Sequence, residues 1–500
     1  MDTKIVIKNF MLIAGLLMCG ASCTVSEVLH SADPEDDEDV HLTNAWYAYT
    51  SNAHYYVAAN GNDTTGNGST SKPWATLTYA INNVPDVGCE IVVKTGHYRM
   101  GTIVCRTFEK GLTIRAEVPY KTVLQVPERM SHVFSILNSK DIIIRDFELV
   151  GNPDVADDYV MQITESDQLL IKNNIIHDTA GKALIKIWKS YGELIVQGNV
   201  FYNKDRECHN IIVDVASNVS IIDNVIFHNL EATGADVLKN PLPFISIGSS
   251  MHAADKFSKD IYVSCNIFLN WEGAPEQSFL TLGGGARTSY EVDNALIENN
   301  LFICNSYAHM ASPFTVNDVK NVIFRANTVT GHIDHGLTGY GINVEHGSDT
   351  LLNDNVRLYN NIYSDPTGQM GVFAGGKSNL LKNSVISNNL VFNNGRQVSD
   401  NMTYSFTLSM DRTMVMADPM LERNVTVPVL PVWNGTYGQF ESGGSTIDEL
   451  RKILVEKYAG FTNSSSAAID MADATNMPKY DILHHKRDSK PDIGAYEYQK

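Results

Sequence analysis

The chain has 500 residues, 43% of them apolar, and a net charge of −19 from 38 basic and 57 acidic side chains. That balance argues against nucleic acid as a main partner and disfavours adhesion to anionic surfaces, though a local basic pocket could hold an acidic sugar. Five hundred residues is long for one ordinary core, but a solenoid grows in one dimension and escapes that limit.

At the N-terminus, Lys4 and Lys8 precede an apolar run from Phe10 to Met18, and Gly20, Ala21 and Ser22 then lead into Cys23. This reads as a targeting segment, too short to span a bilayer securely. It resembles a bacterial lipoprotein signal, with Gly20 where that signal usually carries Leu, Val or Ile. The resemblance implies a signal over 1–22, lipidation of Cys23 and a place in the bacterial cell envelope as an outer-membrane lipoprotein. A periplasmic or secreted protein is the alternative, and the lipid would be the only membrane contact. Residues 23–54 carry the acidic run Asp33 to Asp39, which repels itself and reads as a solvated tether. The remaining cysteines, Cys89, Cys105, Cys208, Cys265 and Cys304, are odd in number and form no CxxC pair, which disfavours zinc. Cys265 and Cys304 fall within repeats and read as small buried apolar groups.

Tyr55 to Val84 contains a strand, a loop rich in Gly, Asn and Asp, and a short helix. The strand-like Cys89 to Arg99 follows. Asn62 and Asp63 could ligate calcium from that loop or could simply form a turn.

From there a repeat dominates. NALIENNLFICN at Asn294–Asn305 has close variants beginning at Leu169, Glu193, Asn218, Asp260, Asn321, Val356 and Ser384. Each has an alternating apolar strand, an asparagine and a second short apolar strand. The aligned residues are Asn174, Asn199, Asn224, Asn266, Asn300, Asn327, Asn361 and Asn389, at intervals between 25 and 42 residues. A repeat of that length with period-2 alternation predicts a parallel β-helix, its coils roughly 4.8 Å apart. Asparagine tolerates the left-handed backbone of a turn, and its amide can donate to the amide stacked above. All eight read as structural. Between them lies a second class of strand: VMQIT, ALIKI, IIVDV, FISIG, FLTLG, FTV, GINVE and GVFAG.

Beyond about Arg396 the repeat is lost. Ile447 to Gly460 reads as an amphipathic helix, and the chain closes on DIGAYEY at Asp492–Tyr498. The N-terminal entry, with its KPWATL segment, and this aromatic ending resemble secreted bacterial right-handed parallel β-helix proteins of the pectate-lyase type. The fold class expected is therefore all-β, a right-handed parallel β-helix over 55–395. A short N-terminal helix caps it and residues 396–500 form a C-terminal capping region. A monomer is expected.

Alternation decides which side chains of the second strand class face outward. With Ile185, Ile187, Val213 and Val215 inward, the outward column reads Gln162, Lys186, Asp214, Ser246, Thr281, Thr315, Asn343 and Phe373. This places Asp214 directly beside Lys186. The adjoining segments add Arg206 and His209, Trp271, Glu272 and Glu276, and Arg287; Trp188 faces out with Lys186. His252, His309, His332 and His335 lie in similar loops. Aromatic faces stack on pyranose rings, and charged groups bind hydroxyls or uronate carboxylates, so the cluster predicts a cleft for a polysaccharide or oligosaccharide. The plain alternative for Lys186 and Asp214 is an exposed ion pair worth under about 1 kcal/mol.

Two chemistries suit such a cleft. In β-elimination a Lys, Arg or His removes the C5 proton of a uronate while a cation or calcium neutralises its carboxylate; Lys186, Arg206, His209 and Arg287 are the candidates. In hydrolysis two carboxylates straddle the glycosidic bond, and Asp214, Glu272 and Glu276 are the candidates. Trp188, Trp271, Glu272, Glu276, His309 and Asn343 are expected to bind substrate. Ser278 to Asn305 partly resembles chondroitinase B and alginate lyase β-helix enzymes, with Gly283 or Gly284 where those carry a catalytic arginine. The expectation is a polysaccharide lyase acting on a uronate glycan. A glycoside hydrolase and a non-catalytic glycan-binding surface lipoprotein are the alternatives.

Overall fold

The computed structural model describes residues 53–499, except 129, 153–158, 204–207, 230–241, 252, 254, 272–276, 285–288, 306–309, 311, 333–339, 346–350, 377–379, 399–405, 407–409 and 426–428. The signal segment with Cys23 and the acidic run lie outside the described residues. So do Arg206, Glu272, Glu276, Arg287, His252, His309 and His335.

Three long parallel sheets make a right-handed parallel β-helix. Among the described residues sheet 1 has 10 strands, sheet 2 has 13 and sheet 3 has 11, and the chain visits the central strands in that order coil by coil. A representative coil runs Ala183–Trp188 in sheet 1, Leu194–Gln197 in sheet 2 and Val200–Asn203 in sheet 3. Inward residues stack in files from coil to coil. Ile163, Ile187, Val213, Ile247, Leu282, Val316 and Val344 form one such file along sheet 1, and all are buried. Rings stack likewise, with Phe268 and Phe302 4.7 Å apart and nearly parallel.

The asparagine ladder forms between sheets 2 and 3. Asn174 Nδ2 donates to Asn199 Oδ1 at 3.1 Å, and the same bond links Asn199, Asn224, Asn266, Asn300, Asn327, Asn361 and Asn389 in turn. Each side chain is fully buried. The ladder ends on Asp411, whose carboxylate only accepts and takes the Asn389 amide at 3.2 Å. The left-handed backbone, however, does not sit on the ladder asparagines. The residue before each carries it: Asn173, Gly198, Asp223, Cys265, Asn299, Ala326, Asn360 and Asn388 all have φ between 52° and 62°. The preceding residue turns the corner, and the asparagine then points inward. For Cys265 and Ala326 that conformation costs roughly 1–2 kcal/mol, offset by the buried ladder bonds.

Helix α1 (Leu77–Asn83), N-capped by Thr76, packs Leu77, Ala80 and Ile81 into the first coils. Helix α2 (Ile447–Tyr458) begins at Thr446, whose hydroxyl accepts from Glu449 N–H, and places Leu450, Leu454 and Val455 against sheet 3. The C-terminal region thus covers the outer face of sheet 3 along much of its length. Ile175, Val200, Val225, Ile267 and Leu301 face outward into it and are buried. This is why the third strand of each repeat reads as a continuous apolar run, apolar on both faces as in doubly covered sheets. Tyr120, Trp433 and Phe440 close one end of that contact.

Candidate functional site

The outer face of sheet 1 carries the candidate groups. Its register assigns two outward files. One runs Gln162, Lys186, Ile212, Ser246, Thr281, Thr315, Asn343 and Gly375, and the other runs Thr164, Trp188, Asp214 and Gly248. Asp214 therefore does not face Lys186 directly, as the sequence suggested; Ile212 does. The pairing is displaced by two residues because Val215 is not a strand residue but the turn, with φ 54°. A two-residue displacement keeps every side chain on the same face, so the two charges still meet diagonally. Lys186 Nζ stands 3.3 Å from Asp214 Oδ2, with the lysine side chain 21% and the carboxylate 7% exposed. Phe373, expected outward, is buried in the core and meets Tyr363 edge-on; its place in the file is taken by Gly375.

Asp214 is also fixed from the far side. Ser250 donates its backbone N–H to Oδ1 at 2.8 Å and its hydroxyl to Oδ2 at 2.7 Å. Gly248 is next in the Asp214 file, and its lack of a side chain makes room for Glu291. A Cβ there would stand 2.8 Å from Glu291 Oε2, and one at Gly284 would stand 3.2 Å from the same oxygen. Glu291 is buried and accepts from Ser249 N–H at 3.3 Å. Sequence reasoning missed Ser250 and Glu291: both sit in connections whose reach onto the sheet no periodicity reports.

His209 opens the strand that carries Asp214. Its Nδ1 lies 2.7 Å from the Pro243 carbonyl, which can only accept, so Nδ1 carries the proton and Nε2 keeps its lone pair. Burial pushes its pKa down to about 4, and the nearby Lys186 ammonium adds to the depression against the opposing Pro243 bond. The imidazole is thus a neutral base over the whole neutral range. Trp188 is half-buried, with Lys189 Nζ 4.3 Å above its ring, and Tyr159 lies 6.0 Å from Lys186 Nζ. Lys186 thus relates to both ends of this strand, ion-paired with Asp214 at one and near enough to His209 at the other to depress its pKa, while Trp188 is the register partner of Asp214.

Other predicted residues do not join these. Trp271 is completely buried, packed on Phe244 and Phe279, so its ring cannot stack on a sugar. It follows Asn270, whose φ of 56° turns the chain inward at the end of a sheet-3 strand. Asn343 stands in the Lys186 file but five coils above, roughly 24 Å away at one strand spacing per coil, and donates to Glu345 at 2.8 Å. His332 lies 3.2 Å from the Thr367 hydroxyl. Asn62 and Asp63 are occupied as turn residues: Asp63 accepts from Ala75 N–H, Thr76 N–H and the Thr76 hydroxyl, and Asn62 accepts from Thr64 and Thr65.

Among the described residues, Asp223, Cys265 and His484 have ligand atoms close enough to hold a metal. Arg451 already occupies the position, 2.7 Å from Asp223. Burial would raise the Asp223 pKa, but Arg451 and His484 override it and hold the carboxylate well below its usual range. Burial pushes the Cys265 thiol up, which keeps it protonated. The group reads as a clamp holding α2 and the chain end to sheet 2, not as a cation site.

No protein-family model matches the chain, and no curated protein matches it. Solved structures of similar fold include the pectate lyase Pel9A, at 14% identity over 90% of this chain and 97% of that one, with a TM-score of 0.46. XylC in complex with xylose aligns at 12% identity over 89% and 98%, TM-score 0.44. A PL6 family alginate lyase, AlyGC, aligns at 14% identity over 80% and 58%, TM-score 0.43.

Proposed function

We propose that this protein is a carbohydrate-active enzyme that binds a uronate polysaccharide along sheet 1 and cleaves it by β-elimination. The observation that carries the reading is Lys186, ion-paired with Asp214 and close to His209, with the half-buried Trp188 beside Asp214 on the same outer sheet face. Elimination needs a base that is unprotonated at working pH and a cation for the substrate carboxylate. His209, neutral and with Nε2 free of its proton, is suited to take the C5 proton. Lys186 is suited to attract the uronate carboxylate, and Asp214 with Ser250 holds its ammonium in place. Trp188 offers a ring face to the sugar.

Glu291, buried beside Gly248 next to Asp214, supports a second reading, hydrolysis between two carboxylates. The experiment that separates these incubates the protein with polygalacturonate or alginate and follows unsaturated uronate by ultraviolet absorbance alongside new reducing ends. Both signals together indicate elimination; reducing ends alone indicate hydrolysis. Glycan retention with neither signal would leave only a binding protein. We also propose an envelope location through lipidation of Cys23. Labelling with radioactive palmitate should mark the wild-type chain and not Cys23→Ser.

A further inference from the structure

Where sheet 1 turns into sheet 2, the surface holds a cavity of about 570 Å³ that none of the predicted site residues lines. Tyr191 and Met251 form its apolar part and are 54% and 40% exposed, high for such large side chains. The Tyr191 backbone is fixed, its carbonyl accepting from the Ser217 hydroxyl and the Asn218 amide, so the ring projects from a rigid turn. Gly192 makes room: a Cβ there would fall 1.5 Å from Asp167 Oδ1. Asp167 itself is committed, accepting from the Gln168 and Glu193 N–H groups through Oδ1 and facing Lys140 through Oδ2. The charges that remain directed at the cavity are Lys189, Lys256 and Glu165. Lys140 faces Asp167, and Lys256 also stands 3.5 Å from Asp255, so the lining is balanced in charge, with the two lysines as its cations.

The cavity is close along the chain to Trp188 and to the Ser250 that holds Asp214. Tyr191 follows Trp188 by three residues, at most about 10 Å of chain, and Lys189 lies over the Trp188 ring. Met251 follows Ser250, which holds Asp214 through two hydrogen bonds. One turn and one loop therefore serve both places.

We infer that this cavity is a further glycan subsite, taking a sugar residue that bears a carboxylate, with its ring on Tyr191 and Met251 and its charge toward Lys189 and Lys256. An exposed aromatic face supplies stacking, and the ammonium groups of Lys189 and Lys256 offer partners to a sugar carboxylate that a neutral sugar lacks. The inference rests on the glycan-binding reading of sheet 1 and adds to it a second contact point with its own residues.

Affinity electrophoresis of the full chain tests it, in gels cast with polygalacturonate or alginate and, for comparison, neutral xylan. Wild type should be retarded by a uronate polymer. Tyr191→Ala and Lys256→Ala should each weaken that retardation about five- to tenfold in dissociation constant, Tyr191→Phe should keep it, and thermal melting should stay at the wild-type value in all three. Equal retardation of wild type and Tyr191→Ala overturns the subsite while leaving the sheet-1 reading intact. A Lys256→Ala loss as large in xylan as in the uronate gels overturns the anionic selectivity. Wild type that migrates freely in every gel overturns both the subsite and the reading beneath it.

Discussion

Lys186 reaches Asp214 across the diagonal of two adjacent strands, at 3.3 Å, while the position directly opposite it belongs to Ile212. The ammonium is thereby held beside a hydrophobic neighbour rather than stretched along the sheet, and Ser250 fixes the carboxylate from the other side. Lys186→Ala should lower kcat on a uronate polymer by about 10²-fold or more. Asp214→Ala should do likewise and also cost about 1–3 kcal/mol of stability, since the Ser250 donors lose their acceptor. Kinetics paired with urea denaturation check both numbers.

His209 supplies a pH signature. Its folded pKa, about 4, lies below the ordinary 6.5, so its contribution to stability is fully present above pH 6.5 and is lost as the pH falls through 4. If it is the base, activity should hold down to the same region and then fall. His209→Gln should abolish product formation and flatten the acid side of the melting-temperature profile.

His177 behaves oppositely. Burial opposes its charge, but Asp178 at 2.9 Å and Glu148 at 3.2 Å raise its pKa to about 9. The stabilisation is complete below pH 6.5 and disappears as the pH rises through 9, on the order of 2–3 kcal/mol. Melting curves of wild type should decline over that window, and those of His177→Gln should start lower and stay level.

Two tryptophans should separate packing from binding. Trp271→Ala empties a fully enclosed aromatic nest and should cost about 3–5 kcal/mol. Trp188→Ala should change stability by less than about 1 kcal/mol and weaken glycan retention.

The ladder should respond by position in a chain of identical contacts. Asn266→Ala removes a donor and an acceptor between two buried neighbours and should destabilise by about 2–4 kcal/mol. Asn389→Ala, next to the terminal Asp411, should cost less. Chemical denaturation of the two variants makes the comparison.

The solenoid was legible because each coil repeats one physical requirement: alternate apolar residues, then an amide that bonds its copy above. Which residue turns the corner was not legible, since Gly198, Asp223, Cys265 and Ala326 share no chemistry, only a backbone angle. The face on which Lys186 and Asp214 lie followed from alternation. Their offset did not, because Val215 looks like a strand residue and adopts a turn. Trp271 misled in the same way: an aromatic at the edge of a polar segment reads as a sugar platform until the φ of Asn270 shows the chain turning inward. Ser250 and Glu291 come from connections, where position is set by tertiary contact and no period marks them.

Mass spectrometry of the products from a uronate polysaccharide, with wild type and Lys186→Ala compared at equal concentration and equal helicity-insensitive strand content, tests the central claim most directly. Wild type should yield oligomers ending in an unsaturated uronate, and the variant, folded as before, should yield almost none. Identical product profiles from both proteins would contradict the assignment of the active site to this face of sheet 1.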